Sequence, residues 1–350
     1  MLVNNTSKSK AIKAAQERIR SNKFIIGDVE DLAREITDGK TEALARGITL
    51  IESNKDEDRP LSHELLKAIK EIGNPSSSQR IGVTGIPGVG KSTFIEKLGL
   101  DLVNEGHRVA VLAVDPSSKR TGGSILGDKT RMEKLANNNN AFVRPSPAAD
   151  ALGGVARATM EAIILCEAAG YDRIIVETVG VGQSETSVRE MVDVFCLLLI
   201  GGAGDEVQGI KRGIVEMADL VVVHKADSGN EYICKETASA YRSSIHLFPK
   251  PKGEHTVEVL TASSYTGDGH NEFRSKLQGL IDLWIENEYF STQRSLQQVE
   301  RMKVHAMEIL MSTHMNSSGS QKIWNELKIG VEKGEISAYS AAWSWAKSKK

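Results

Sequence analysis

The sequence predicts an α/β fold in which a mostly parallel sheet is covered by helices on both faces, with a helical extension at each end. Between about residues 80 and 278, short hydrophobic runs alternate with helical patterns, as in repeated strand–helix units. These runs are hydrophobic throughout, which is typical of strands buried on both faces. Outside this region the apolar spacing is helical only. The predicted strands are 81–84, 108–114, 173–177, 192–200, 220–224 and 257–261.

We therefore expect three segments: a helical extension over 1–75, an α/β domain over 76–278 and a helical arm over 279–350. The first segment has apolar residues at helical spacing, such as Leu44, Ile48 and Ile51. The polar stretch 74–78 separates it from the first strand. The last segment has a similar stripe at Met302, Ala306 and Ile309.

Composition indicates a globular protein and excludes several function classes. Of the 350 residues, 40% are hydrophobic and 26% are charged, values that argue against a disordered or fibrous chain. The formal net charge of -2 gives no overall attraction to nucleic acid or to an anionic membrane. The longest apolar run, 194–200, is too short to cross a bilayer. Three scattered cysteines are expected to be reduced core thiols, which suits a reducing compartment.

The first 23 residues are basic, with six lysines and arginines against the single acid Glu17. This composition is compatible with a mitochondrial transit peptide. It is equally compatible with a solvated N-terminal arm, and the apolar face needed for import is thin. We favour the arm, and hence a cytoplasmic protein.

A phosphate-binding motif follows the first predicted strand. Residues 85–92 fit the pattern G-x-x-x-x-G-K-[ST], and a predicted helix follows directly. In such a loop the backbone N–H groups and the helix N-terminus bind phosphate oxygens, the lysine reaches the outer phosphates and the serine hydroxyl binds magnesium. A chance glycine turn is the alternative, but strand, loop and helix occur in the required order. The α/β domain is thus predicted to be a P-loop NTPase core, and its phosphate-binding residues are Gly85, Ile86, Pro87, Gly88, Val89, Gly90, Lys91, Ser92 and Thr93.

Three acids are candidates for the magnesium site, and two of them end predicted strands. Asp115 follows the second strand, where a cap or turn role is the alternative. Asp128 lies in a glycine-containing loop that could close over a ligand. Glu177 ends the next strand, and Gly180 follows three residues later, as in hydrolases that sense the γ-phosphate. Lys91, Asp128 and Glu177 are therefore also catalytic candidates.

The segment His224-Lys225-Ala226-Asp227 resembles the guanine-binding sequence N-K-x-D. A carboxylate at Asp227 can accept hydrogen bonds from guanine N1–H and the 2-amino group, a donor pair that adenine lacks. His224 replaces the usual asparagine. We expect its imidazole to donate to guanine N7 without duplicating the ties of the amide to the phosphate loop. Ordinary surface charges at a strand end are the alternative.

The last strand leads into Ser263, Ser264 and Tyr265, where GTPases place the backbone N–H that meets guanine O6. A separate glycine-rich loop, 201–213, ends in Lys211 and Arg212 and could approach the phosphates or a partner protein. Both cations could equally be ordinary surface charges.

Together these segments resemble the MeaB/ArgK family of P-loop GTPases over nearly the whole chain. The most specific parts are 43–52, the phosphate loop, 114–132, 177–185 and 202–213. The resemblance implies that Ser92, Asp115, Asp128 and Glu177 surround Mg²⁺, and that Asp227 and 263–265 hold guanine. It also implies that 202–213 is a third switch containing Lys211 as a catalytic-site lysine, and that the C-terminal helices form a homodimerisation arm.

By the same resemblance, the protein is expected to use GTP binding and hydrolysis as a chaperone of an adenosylcobalamin-dependent mutase of the methylmalonyl-CoA type. It would gate cobalamin delivery and protect the mutase. Two alternatives share the core: a metallochaperone GTPase, which would need a Cys/His metal site, and a transport-associated kinase, which would use ATP. A nucleotide-gated scaffold without catalysis is a further alternative, disfavoured by the intact Lys91, Ser92 and Glu177.

Overall fold

The computed structural model describes residues 26–53, 55–73, 77–115, 132–147, 154–178, 184–202, 212–248, 251–315 and 317–348. The chain divides into two compact units, Met1–Phe290 and Ser291–Lys350. The domain boundaries at 75/76 and 278/279 stay predictions. The helix His270–Glu286 continues across the second of them.

The first unit contains one seven-stranded sheet in which every paired strand is parallel. This confirms the predicted fold class. The strand order is β3-β2-β4-β1-β5-β6-β7, so β1 lies in the centre between β4 and β5. The strands are β1 (Gln79–Gly85), β2 (Val109–Asp115), β3 (Ala141–Pro147), β4 (Arg173–Thr178), β5 (Val194–Ile200), β6 (Leu220–His224) and β7 (Glu258–Ala262).

Helices precede the sheet, connect its strands and make up the C-terminal unit, and Asp56–Asp58 forms a short 3₁₀ turn. They are α1 (Ile26–Thr37), α2 (Thr41–Ile51), α3 (Arg59–Ile72), α4 (Lys91–Asn104), α5 (Glu133–Ala136), α6 (Gly154–Ala168), α7 (Ser184–Arg189), α8 (Arg212–Met217), α9 (Glu231–Ile245), α10 (His270–Glu286), α11 (Tyr289–Met315), α12 (Ser318–Glu332) and α13 (Ala338–Ala346).

Alternate residues of a strand pack against opposite layers of helices. In β2, Ala110 and Leu112 join a core with α1, α2, α3 and α6, whereas Val109 and Val111 join a core with α4, α5 and α10. A third cluster lies between β5–β7 and the helices α8 and α9. Successive side chains of a strand point to opposite faces, so a strand covered on both sides must be apolar throughout. The three free cysteines are buried in these cores, as expected.

Strand β3 was missed by the sequence analysis. It contains Arg144, Pro145 and Pro147, which weaken the hydrophobic pattern. β3 is an edge strand that pairs only with β2. Because an edge strand leaves one side of its backbone unpaired, it tolerates prolines that an interior strand would not.

The second unit is helical. Ser317 and Ser337 cap α12 and α13, each accepting a hydrogen bond from the backbone N–H three residues later. Trp345 is buried, and its ring packs edge-on against Trp324, with centroids 4.9 Å apart. Along α11, large apolar side chains such as Met302, Met307 and Leu310 are exposed. Among the described residues, no helix is both long and apolar enough to span a membrane.

Candidate nucleotide site

The phosphate loop connects the carboxyl end of β1 to the first turn of α4. Its shape depends on glycine at two close approaches. A Cβ at Gly85, where φ is +153°, would lie 2.6 Å from the Leu198 carbonyl oxygen. A Cβ at Gly90, where φ is +97°, would lie 2.8 Å from the His224 ring. Larger residues are therefore excluded at both positions.

Around these glycines the other loop residues differ in exposure. Val89 is fully buried in the core beneath the loop, and Ile86 is half-buried. Pro87 and Gly88 are exposed, as is Thr93 in the first turn of α4. The loop is thus anchored in the core by Val89 and exposed to solvent at Pro87 and Gly88.

Lys91 is buried at the start of α4 and turns back over the loop. Its Nζ donates to the carbonyl oxygens of Gly85, at 2.8 Å, and Ile86, at 3.2 Å. The ammonium group is therefore held over the loop, close to the N-terminus of α4. Both features favour an anionic ligand.

Ser92 and Glu177 lie together at the same edge of the sheet. The Ser92 Oγ donates to Glu177 Oε1 at 3.0 Å. Neighbouring strands bring them together, because Val83 of β1 is in register with Glu177 of β4. One residue beyond, the Thr178 and Thr84 hydroxyls are hydrogen-bonded at 2.8 Å. A hydroxyl and a carboxylate are hard oxygen ligands of the kind Mg²⁺ prefers, so these residues fit the predicted metal.

Several predicted site residues have side chains that the structure does not describe. Asp115 ends β2, at the same sheet edge, but its side chain is not described. Asp128, Gly180 and Lys211 lie outside the described residues, within 116–131, 179–183 and 203–211. Their assignments stay predictions.

The Asp227 carboxylate is held in place by serine hydroxyls. Ser263 Oγ donates to Asp227 Oδ2, and Ser228 Oγ donates to Oδ1 at 3.0 Å. These hydrogen bonds, that from Ser263 first, lower the pKa of Asp227, so it is ionised at neutral pH. Ser263 Oγ also accepts from the N–H groups of Tyr265 and Thr266. The carboxylate and the 263–266 loop are thus fixed relative to each other.

Lys225 connects this second cluster to the phosphate loop. Its φ is +61°, an unusual value for a residue other than glycine. The exposed side chain extends to the phosphate loop, where Nζ donates to the Gly88 carbonyl at 2.8 Å. Tyr265 is 91% exposed, so its side chain is open to solvent beside the Asp227 cluster.

His224 differs from the sequence-based expectation. It is buried, and its Nδ1 lies 2.9 Å from the Val89 carbonyl oxygen. The imidazole therefore makes a tie to the phosphate loop, which differs from the expectation that it donates to guanine N7 instead. Its Nε2 lies 2.7 Å from Ser264 Oγ, so both ring nitrogens are engaged within the protein. His224 reaches Ser264 because β6 pairs with β7. This pairing puts His224 in register with Ala262, two residues before Ser264.

Two further residues of this cluster, Ser228 and His270, were not predicted from the sequence. His270, the first residue of α10, is fully buried, and its Nε2 lies 3.0 Å from Ser264 Oγ. The motif in 224–227 gives Ser228 as the next residue along the chain, but no spacing in the sequence relates His270 to His224. Only the parallel pairing of β6 and β7 brings these residues together.

The carboxyl ends of the parallel strands therefore bring together a phosphate-binding loop, a hydroxyl–carboxylate pair and an ionised aspartate beside a serine loop. Ligands of open α/β sheets bind at this edge. The arrangement can bind the phosphates of a nucleotide at β1 and its base near β6 and β7.

A profile of the family described as "Methylmalonyl Co-A mutase-associated GTPase MeaB" matches residues 44–319. The chain belongs to the MeaB family. GTPase ArgK of Escherichia coli is 41% identical over 87% of this chain and 91% of its own length. A Caenorhabditis elegans protein named methylmalonic aciduria type A homolog, mitochondrial, is 40% identical over 90% of this chain and 81% of its own.

A crystal structure described as LAO/AO transport system kinase shares the fold, with a TM-score of 0.70 and 32% identity over 93% of this chain and 99% of that one. As a MeaB-family protein, the chain is a GTPase that binds guanine nucleotides and hydrolyses GTP. The P-loop NTPase core predicted from the sequence is thereby confirmed.

Proposed function

We propose that this MeaB-family GTPase is a chaperone of an adenosylcobalamin-dependent acyl-CoA mutase of the methylmalonyl-CoA type. It gates cobalamin delivery to the mutase and protects the mutase from inactivation. The observation that carries the proposal is the family match over 44–319, which spans the whole sheet and the helices that connect its strands. The name of that family associates its GTPases with methylmalonyl-CoA mutase.

In this proposal the phosphates bind the loop from Gly85 to Thr93, and Lys91 exchanges its carbonyl partners for the outer phosphate oxygens. Ser92 and Glu177, supported by Asp115 and Asp128, hold Mg²⁺. When bound, this ion neutralises charge that develops on the phosphates. The 3.0 Å contact between Ser92 Oγ and Glu177 Oε1 supports the assignment, since it places the two oxygens side by side at the sheet edge.

The guanine base binds between Asp227 and the loop containing Ser263, Ser264 and Tyr265. Asp227 accepts from guanine N1–H and the 2-amino group, and the loop supplies an N–H to O6. The Ser263 and Ser228 hydroxyls orient the carboxylate before the base arrives. Preorganisation of this kind lowers the cost of binding, and adenine cannot donate to both carboxylate oxygens.

Partner contact is proposed to act through residues 202–213, including Lys211, and Gly180 is proposed to sense the terminal phosphate. Intrinsic hydrolysis should then be slow and should increase when the mutase binds, because the switch segments position water and charge poorly without a partner. We further propose that the C-terminal arm forms a homodimer in the cytoplasm. The exposed apolar side chains of α11, such as Met302 and Leu310, supply a surface for it.

Neither alternative function gains support from the site. A metallochaperone needs clustered metal ligands, and the described residues contain no group of three or more His, Cys, Asp or Glu able to hold a metal ion. A transport-associated kinase would use ATP, and the ionised, preoriented Asp227 favours guanine.

The test measures GTP and ATP hydrolysis, each with and without a cobalamin-dependent methylmalonyl-CoA mutase. We expect slow GTP hydrolysis that the mutase accelerates and little ATP hydrolysis under either condition. The Lys91→Ala variant should lose the stimulated activity, whereas replacing the half-exposed Lys276 of α10 by alanine serves as a matched lysine control. GTP turnover that the mutase leaves unchanged would count against the chaperone role.

A further inference from the structure

His224 occupies the position at which the guanine-binding motif has asparagine, and both of its ring nitrogens have protein partners. Nδ1 is 2.9 Å from the Val89 carbonyl oxygen in the phosphate loop. Nε2 is 2.7 Å from Ser264 Oγ, which is in turn 3.0 Å from His270 Nε2. A continuous hydrogen-bonded chain therefore runs from the phosphate loop through His224 and Ser264 to His270.

The Val89 carbonyl oxygen determines which group donates and which accepts in each of these hydrogen bonds. A carbonyl oxygen can only accept, so Nδ1 of His224 must carry the proton. In a neutral imidazole the other nitrogen is then an acceptor, and the Ser264 hydroxyl donates to Nε2. Ser264 Oγ accepts in turn from His270 Nε2–H. His270 Nδ1, the remaining acceptor, has no hydrogen-bond partner among the described residues.

The surroundings keep His224 neutral and hold its ring in place. Only 3% of the residue is exposed. The ring packs edge-on against Phe94, with centroids 5.6 Å apart, and a Cβ at Gly90 would lie 2.8 Å from Cε1 and Nδ1. Burial lowers the pKa of His224 below its usual value, so the neutral form predominates at pH 7. The ring cannot turn towards the base without breaking both hydrogen bonds.

This arrangement has a consequence for base recognition. Asparagine has two amide hydrogens and one carbonyl oxygen, so it can donate to the phosphate loop, donate to guanine N7 and accept from a serine at once. Neutral histidine has one donor, and Val89 uses it. Guanine N7 is itself an acceptor, so it cannot form a hydrogen bond with the acceptor Nε2 of His224.

We propose that His224 is a positioning residue that joins the phosphate loop to the base loop and leaves guanine N7 without a hydrogen-bond donor from this position. The protein then recognises guanine through N1, the 2-amino group and O6 alone. A nucleotide whose N7 is replaced by carbon binds as well as the natural one. This inference rests on the proposed guanine site at Asp227.

The experiment compares equilibrium binding of GDP and 7-deaza-GDP by isothermal titration calorimetry, with the full chain at pH 7 and in Mg²⁺. In the unmodified protein the two dissociation constants should agree within about twofold. His224→Asn regains an amide donor. In this variant the dissociation constant of 7-deaza-GDP should exceed that of GDP by about fivefold or more, the effect of one hydrogen bond. His63→Asn is the matched control, because this histidine is exposed on α3. It should behave as the unmodified protein does.

The possible outcomes distinguish a failure of the role given to His224 from a failure of the proposed guanine site. A loss of about fivefold or more for 7-deaza-GDP in the unmodified protein would overturn the inference while leaving guanine binding intact. Equal ratios in the unmodified protein and His224→Asn, with both folded by circular dichroism, would refute the role given to His224. Failure of GDP to bind at all would overturn the guanine site and the inference together. The ratio in the unmodified protein needs no variant, so the central claim does not depend on how a variant folds.

Discussion

His270 makes the stability of the protein depend on pH in a defined direction. The residue is fully buried at the start of α10, and its ring lies 4.8 Å from that of Phe94. Burial lowers the pKa of His270 from the usual 6.5 to about 4. Nearby Asp101 opposes this change, whereas Lys97, His224 and Arg274 add to it. The neutral ring is therefore strongly favoured in the folded state.

The folded and unfolded chains differ in proton binding at His270. Between pH 6.5 and pH 4 the unfolded chain binds a proton at this site and the folded protein does not, so the free energy of unfolding falls as the pH falls. The stabilisation is fully present above pH 6.5 and is lost on acidification to pH 4. A decrease of the pKa from 6.5 to about 4 corresponds to at most ~3 kcal/mol.

The assay is urea denaturation followed by far-ultraviolet circular dichroism at several pH values from 7.5 to 4 (roughly the range that spans both pKa values). We compare the unmodified protein with His270→Gln, whose amide can still donate to Ser264 but does not titrate. Both proteins also lose stability in acid through titratable side chains other than that of residue 270. The unmodified protein should lose up to ~3 kcal/mol more.

His63→Gln, at an exposed histidine, is the control and should follow the unmodified curve. Parallel curves for the unmodified protein and His270→Gln would refute the reasoning.

Three further predictions concern the nucleotide site and the core. Asp227→Asn should shift the preference from GTP to XTP, because an amide pairs with the 2-carbonyl of xanthine; unchanged selectivity in hydrolysis assays would contradict the base assignment. Lys91→Ala should lower GTP hydrolysis by about 10²–10³-fold, because a charge at the phosphates is lost; near-normal turnover would exclude that role. Arg80→Met should destabilise the fold by about 3–5 kcal/mol, because Arg80 forms two hydrogen bonds, at 2.8 and 2.9 Å, with the buried Glu167 carboxylate. Denaturation of Arg80→Met/Glu167→Leu should show most of that loss recovered.

The interior strands of the sheet could be predicted because burial on both faces leaves a direct trace in the sequence. β5 and β6 are almost entirely apolar and were located within about two residues. β3 could not be located in this way, because its position at the edge of the sheet relaxes the requirement for apolar residues and for backbone donors. Its prolines indicate a loop until the pairing with β2 is known.

The site was predictable where its chemistry is local in the chain. The phosphate loop and its flanking strand and helix are contiguous, so spacing alone makes Lys91 and Ser92 candidates. His224 was misjudged because its partners, Val89 and Ser264, are distant in sequence. A motif shows that a residue departs from the usual type, but the hydrogen bonds of the replacement depend on the packing around it.

The N-terminal helices have a practical consequence for work on fragments of this protein. Leu32, Leu44 and Leu65 share one core with Leu112 and Val176 of the sheet. A recombinant fragment beginning at residue 76 would expose an aliphatic surface to water and would be prone to aggregate, although every described nucleotide-site residue would be present in it. Recombinant fragments intended to bind GTP in solution should therefore begin no later than residue 26.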